Sequence, residues 1–483
     1  MPGLFSSFRF RGRPASSTAQ GRWDDGRAPA ALPLWGKLSA PSLFALSFVA
    51  LILGGTLGLQ VLPGIYAGPG LSWLDALFTV TSAVCVTGLI VVDTATYFTS
   101  FGQAWLLVCI QLGGLGIIAF TSLVAALFGQ RVSLRQRDLS ASALTDVAPH
   151  VDARRLLRDV VRFTVLIEAV GALVLTGLFL RHYPFGTALW YGVFHSISAF
   201  CNAGFSTFSS NLMGFQLDAP ILLTVAALVV LGGLGFLTIE EIELWVKAAR
   251  RKQRFRLSLH SRLVLAATAL LLVGGMVGGY VFERDVTLAG LSEPYKWVNA
   301  FFFSATARTA GFNSIDYDAA TAPANFLTIL LMFVGGSPGS TAGGAKTTTF
   351  ALLALMAWAR FRGRSSVGAW SRTVPQETLD RAISQVMLCM VVVTAGIMLL
   401  AAFEGRHDAE AKFLGYMFES VSAFNTVGLS MNVTPTLSVP SRIVTVLLMF
   451  IGRVGPVTIA AALARSAVQT PLVRYAHEDV VVS

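Results

Sequence analysis

Eight apolar stretches, near residues 42–62, 103–128, 160–181, 220–246, 261–282, 325–359, 382–403 and 441–464, dominate this 483-residue chain. Each reaches the roughly 20 residues that a helix needs to cross a bilayer. Only 13% of the residues are charged, about half the usage of soluble domains. Lipid offers no hydrogen-bond partners, so runs of this length can cross only as helices that satisfy their own backbone. The expected class is therefore an all-α membrane protein with eight spanning helices.

Basic residues set the expected orientation. Arg9, Arg11, Arg13, Arg22, Arg27 and Lys37 make the first 40 residues a basic tail without a signal-peptide pattern. Further basic clusters lie at 131–162, 247–262 and 360–381, while the connection 63–102 carries only Asp75 and Asp93 as charges. Lys and Arg in short flanks mark the cytoplasmic side, which places both termini there. The formal net charge of +10 thus sits at the ends of apolar runs and forms no nucleic-acid-binding face. Cys85, Cys109, Cys201 and Cys389 show no metal-ligand or disulfide spacing and read as structural thiols.

The connections on the other side each hold a short aromatic-rich stretch (73–81, 189–197, 297–303, 416–421) followed by a glycine segment. The segments are SAVCVTG (82–88), SAFCNAG (198–204), ATARTAG (305–311) and SAFNTVG (422–428), their glycines 107 to 117 residues apart. Span, re-entrant helix, glycine segment and span thus recur four times as parallel repeats. Irregular backbone at membrane depth must be buried or line a water-filled cavity. Gly88, Gly204, Gly311 and Gly428 permit backbone angles that turn successive carbonyls toward one axis, where they can replace a cation's hydration shell. The expected cation-binding set is Val86, Thr87 and Gly88; Asn202, Ala203 and Gly204; Thr309, Ala310 and Gly311; and Thr426, Val427 and Gly428.

Arg308 occupies the slot that Cys85, Cys201 and Asn425 fill elsewhere, and a cation facing the axis would repel a conducted ion. It is expected to point behind the segment, to carbonyls or an acid, with Glu419 as candidate partner. The sixth apolar stretch is interrupted by Gly335, Gly336, Ser337, Pro338, Gly339, Ser340, Thr341, Ala342, Gly343, Gly344, Ala345 and Lys346. No continuous helix accommodates that run, so an intramembrane loop is expected. Arg453 lies mid-span, where insertion costs roughly 2.5–3.5 kcal/mol, and needs a compensating role in the cavity. Glu168, also mid-span, is compatible with a structural contact or with ion coupling. Glu240, Glu241 and Glu243 read as a cap on the fourth span, and the Gly-Gly-Leu-Gly runs at 113–116 and 232–235 as packing glycines.

These segments, with TSAVCVTGLIVVD (81–93), SAFCNAGFS (198–206), RTAGFN (308–313) and SAFNTVGL (422–429), are similar to the four filters of the Trk/Ktr/HKT family of cation transporters. The similarity runs from about residue 42 onward and is closer to the Ktr membrane subunit, KtrB, than to the longer TrkH type. It implies potassium uptake across a bacterial inner membrane by a homodimer with one pore per subunit. It also implies a gate made by the loop at 335–346 and Arg453. Glycine at 88, where sodium-favouring members often carry serine, supports potassium.

No nucleotide-binding motif is present, so the resemblance assigns nucleotide control to a cytoplasmic ring of RCK subunits of the KtrA/TrkA type. Potassium is then the substrate, sodium a candidate activator, and no covalent cofactor is implied. The expected organisation is a tail (1–40), repeat 1 (41–130), a linker (131–157), repeat 2 (158–247) and a basic linker (248–259). Repeat 3 (260–362), a linker (363–380), repeat 4 (381–466) and a C-terminal tail (467–483) complete it. A sodium-coupled secondary transporter is the competing reading, although such folds often use inverted repeats. An enzyme lacks support, because His195 stands alone and no membrane-level acid–base cluster accompanies it.

Overall fold

The computed structural model describes residues 40–116, 153–404 and 409–455. Both expected tails, nearly all of the 131–157 linker and the last residues of repeat 4 lie outside that range. The first group comprises α1 (Ala40–Val61), α2 (Trp73–Val84), the single turn α3 (Thr94–Tyr97) and α4 (Ser100–Gly116). Next come α5 (Ala153–Phe179), α6 (Phe185–Phe200), α7 (Ala219–Leu234) and α8 (Phe236–Arg250). The third group is α9 (Leu259–Glu283), α10 (Glu293–Thr306), α11 (Ala322–Phe333) and α12 (Thr347–Phe361), and the last α13 (Gln376–Glu404), α14 (Ala409–Phe424) and α15 (Val439–Val454).

Among the described residues four helices, α1, α5, α9 and α13, are long and apolar enough to cross a membrane alone. The chain is an integral membrane protein. The expected single span at 220–246 is instead two helices, α7 and α8, bent by 102°. Gly235 between them has φ +85°, and a Cβ there would lie 2.5 Å from the Pro338 carbonyl oxygen. Hydropathy runs unbroken through this point, so the apolar pattern did not reveal the backbone reversal. The acids expected to cap the fourth span therefore lie on α8, where Glu243 pairs with Lys247 and Glu241 Oε2 accepts from Ser258 N at 2.9 Å.

Local sequence explains where many helices begin. Asp218, Ser292, Thr321 and Ser438 precede α7, α10, α11 and α15, each with proline two residues later. A polar N-cap followed by proline in the first turn suits the helix N-terminus, where the backbone N–H groups have no helical acceptor. The Asp218 and Thr321 side chains accept from Ile221 N and Ala324 N at 3.4 and 3.2 Å.

Helices α2, α6, α10 and α14, of 12 to 16 residues, extend about 18–24 Å and fall short of a bilayer's apolar thickness. Side chains in and beyond these helices clasp neighbouring groups to one another. Ser209 Oγ donates to Asp93 Oδ2 at 2.6 Å, and Trp190 Nε1 to Gln103 Oε1 at 2.8 Å. Gln216 Nε2 donates to Ser314 O, and Asn299 Nδ2 to Gln216 O at 2.9 Å. Tyr317 packs on Phe418 with ring centroids 5.5 Å apart, and Arg442 pairs with Asp75 at 2.5 Å. These clasps join the four groups in the cyclic order 1–2–3–4–1.

A second tier of glycines seats the later helices. A Cβ on Gly113, Gly232 or Gly452 would collide with the carbonyl oxygen of Val84, Phe200 or Phe424, respectively. Those three residues hold the same position at the ends of α2, α6 and α14. Gly452→Ala is expected to destabilise the protein by roughly 1–3 kcal/mol, as overpacking does. Loss of the monodisperse detergent-solubilised peak at lower temperature checks this.

Candidate functional site

Each of the four short helices runs into its glycine segment by nearly the same hydrogen bonds. Thr87 N, Ala203 N and Val427 N donate to Ser82 O, Ser198 O and Ser422 O at 2.7, 2.7 and 2.8 Å. The third segment departs, with Ala310 N donating to Thr306 O at 3.0 Å. Its sequence departs too, carrying Ala305 where the others carry serine. Ser82 and Ser422 accept from Gly88 N and Gly428 N at 3.0 and 3.1 Å, while Ser198 and Thr306 donate to Phe205 O and Phe312 O.

Left-handed backbone angles recur in register. Val86, Asn202, Thr309 and Thr426 have φ of 56°, 61°, 69° and 49°, and Gly88, Gly204, Gly311 and Gly428 have φ of 98°, 71°, 77° and 95°. Such angles are rare for side-chain-bearing residues, above all β-branched ones, and mark strain that the surrounding structure must hold.

The four segments meet in a closed ring. A Cβ on Gly88 would lie 2.5 Å from Ala203 O, on Gly204 2.8 Å from Ala310 O, and on Gly311 2.5 Å from Val427 O. One on Gly428 would strike Thr87 O, which closes the circle. Each carbonyl so touched belongs to the residue just before the next segment's glycine. The expected cation-binding residues are thereby brought together, and Thr87, Ala203, Ala310 and Val427 stand at one level. The C-terminal ends of α2, α6, α10 and α14 lead into the ring, each bringing the partial negative charge of a helix end.

On one side of the ring lies a vestibule of about 150 Å³ lined by Gly88, Gly204, Gly311 and Gly428 with Asp93, Asn211, Asn313 and Asn432. The loop at 335–346 lies on the other. Its backbone is tied to the second and fourth groups of helices. Ser337 N and Thr341 N donate to Gly233 O and Gly232 O at 3.0 and 3.3 Å, and Phe236 N donates to Gly339 O at 2.9 Å. Ala345 N reaches Asn425 Oδ1 at 3.2 Å, and Gly344 N reaches Gly452 O at 3.2 Å. A Cβ on Gly343 would strike the Thr426 side chain, and one on Gly344 the Asn425 side chain.

Arg453 pins this loop to the first group. It is 1% exposed; Nη1 donates to Thr341 O and Nη2 to Gly113 O at 3.0 Å. Its position, just after Gly452, matches Gly114 and Gly233, so a guanidinium stands where α4 and α7 carry only a hydrogen. Sequence reading found the arginine but not this matched set, whose signal was a Gly-Gly or Gly-Arg pair following the first, second and fourth glycine segments. Lys346 Nζ donates to Ala342 O at 2.7 Å within the loop.

Arg308 does point away from the ring, but not to Glu419. Its Nη2 donates to Thr268 Oγ1 and Thr347 Oγ1 at 3.3 and 3.5 Å. Among the described residues no ion pair joins it to Glu419, whose Oε1 accepts from Thr434 Oγ1. The pairing fails because Glu419 sits a turn and a half before the end of α14, facing its own segment's exit. Arg308 lies past the end of α10, facing α9 and α12. Substituting Arg308 and Glu419 with Gln is therefore expected to give additive stability losses, within about 0.5 kcal/mol in a double-mutant cycle.

His195 occupies the α6 position matching Glu419. Buried, it pairs with Ser206 Oγ at 3.0 Å and stacks on Phe208 with centroids 4.8 Å apart. It braces the second segment's exit and is not free for acid–base work. Glu168 is held by Gln111 Nε2 at 3.0 Å and lies 3.7 Å from the Cys201 thiol. All four cysteines are buried free thiols.

Comparison with known proteins places the chain among membrane cation transport proteins. A family model described as a cation transport protein, TrkH, matches residues 46–471, and the chain belongs to that family. It is 39% identical over 443 residues to the Ktr system potassium uptake protein B of Vibrio alginolyticus, covering 91% of this chain and 94% of that one. It is 36% identical over 430 residues to the potassium/sodium uptake protein NtpJ of Enterococcus hirae, covering 88% and 93%. The crystal structure of the potassium transporter TrkH from Vibrio parahaemolyticus superposes with a TM-score of 0.68 at 17% identity, covering 89% of this chain and 86% of that one. That last likeness shows the fold alone.

Proposed function

We propose that this protein takes up potassium across the cytoplasmic membrane through the ring formed by its four glycine segments. The observation that carries the proposal is the cyclic contact of Gly88, Gly204, Gly311 and Gly428 with the carbonyls of Ala203, Ala310, Val427 and Thr87. Ordered carbonyl oxygens around one axis can replace a cation's hydration shell, and the potassium uptake named for the Vibrio alginolyticus relative supports the choice of ion. The architecture is read as four span–short helix–segment–span repeats. Their spans are α1 and α4, α5 and α7, α9 with the interrupted α11–α12 pair, and α13 and α15. Both termini are cytoplasmic.

The loop at 335–346 closes the path on the inner side of the ring, and Arg453 holds it closed. The subunit works as a homodimer, one pore each, under a cytoplasmic nucleotide-binding RCK ring of the KtrA/TrkA type. A sodium-permeable or sodium-coupled mode is the second reading, favoured by the potassium/sodium uptake named for the Enterococcus hirae relative. Vesicles containing the purified protein test the proposal. Voltage-driven uptake that prefers potassium supports it, equal potassium and sodium flux contradicts the selectivity, and a strict requirement for a sodium gradient favours coupling.

A further inference from the structure

Among the described residues, the vestibule outside the ring is lined by one acidic residue, Asp93, and by no lysine or arginine. Its carboxylate is fixed by neutral donors: Ala95 N to Oδ1 at 3.0 Å, and Thr96 Oγ1 and Ser209 Oγ to Oδ2 at 2.9 and 2.6 Å. Among the described residues no ion pair neutralises it. Five residues past each ring glycine stand Asp93, Ser209, Asp316 and Val433. Asp316 is exposed and does not line the vestibule, so a single negative charge sits off-axis at the seam of the first two repeats. The Asn211 Oδ1 oxygen, in the same lining, is buried without a donor.

A helix cap alone would be served by Asn or Ser. A carboxylate, held rigidly and left without a counter-charge beside four converging glycine segments, adds a field that concentrates cations in a narrow, low-dielectric mouth. We propose that Asp93 is a positioning residue that sets the affinity for the incoming cation, by holding it electrostatically at the vestibule before it enters the ring. This rests on the transport reading above.

The test is the dependence of initial uptake on external potassium in vesicles at low ionic strength. Asp93→Asn is expected to raise the half-saturating concentration roughly three- to tenfold, the scale of one charge acting over several ångströms in a partly solvated site. The maximal rate should stay within about twofold. The difference should shrink when an impermeant organic cation raises the ionic strength from about 0.01 to 1 M, because the screening length falls from about 30 to 3 Å.

Asn432→Asp, at a vestibule position with φ 57°, a backbone conformation that both Asn and Asp accept, supplies a charge elsewhere in the mouth. It should lower half-saturation in the otherwise unaltered protein and restore it in the Asp93→Asn background, which a purely structural role for Asp93 would not allow. Unchanged half-saturation in both single variants, or a salt-independent change, overturns the inference alone. Absence of saturable potassium uptake in the unaltered protein overturns the transport reading as well.

Discussion

Replacing Arg453 with Gln is expected to raise potassium flux through the resting protein by roughly tenfold or more. The guanidinium bridges Thr341 O of the loop and Gly113 O of α4. Hydrogen bonds from a charged donor are worth about 1.5–3 kcal/mol each, and 1.4 kcal/mol shifts a two-state equilibrium about tenfold. Gln has one terminal NH2 where the guanidinium donates through two, and it carries no positive charge. Arg453→Lys separates the two contributions. If charge alone blocks the path, Lys should stay tight; if the bridge holds the loop, Lys should leak almost as Gln does. Flux is read in vesicles without any cytoplasmic partner, and an Arg453→Gln variant that folds normally yet conducts no faster would remove the gate from the account.

Gly88→Ser carries the second large effect. Gly88 has φ +98°, and a Cβ there would lie 2.5 Å from Ala203 O. A side chain can enter only if the first segment retreats or the second moves, costing about 1–3 kcal/mol of backbone strain. Because Ala203 O belongs to the proposed coordinating level, the change acts on the geometry that discriminates ions. The preference for potassium over sodium is expected to fall by roughly tenfold or more, measured as the ratio of uptake rates at equal voltage. The same substitution at Gly64, also at positive φ but with open space around its Cβ, should leave that ratio unchanged, which separates ring geometry from general strain.

Much of this arrangement is legible in the sequence because it is encoded locally. A glycine segment after a short aromatic helix needs specific residue types within seven positions, and four copies in register make the pattern visible. The loop is legible for the same reason, since its run of glycines, serines and proline contradicts helix over a contiguous stretch. What escaped depends on contacts between distant parts of the chain. The bend at Gly235 lies inside an unbroken apolar run, and its cause is the Pro338 carbonyl packed against it. Arg308 finds Thr268 and Thr347, hydroxyls from two other helices that no spacing rule singles out. Glu168 likewise gathers Gln111 from another group and Cys201 from another helix of its own.

The position of Arg453 combines both kinds of information. Its burial in an apolar span announces a role, yet only the fold shows that it replaces a glycine which, in the first group, lets the helix approach the second segment closely. Gly114 would bring a Cβ to 2.9 Å from Cys201 Sγ, whereas one on Gly233 would meet the Asn202 side-chain amide at an ordinary contact distance of 3.6 Å. The fourth helix uses the same position to carry a side chain to the loop and to α4.

The central claim is that a dehydrated cation sits on the axis of the glycine ring. Anomalous diffraction from crystals grown with thallium or rubidium in place of potassium tests it most directly. The expected result is a peak encircled by the carbonyls of Thr87, Ala203, Ala310 and Val427, which weakens when sodium replaces the heavy ion and is displaced or lost in the Gly88→Ser protein. Heavy-ion density confined to the vestibule or absent from the axis, with the ring intact, would contradict it.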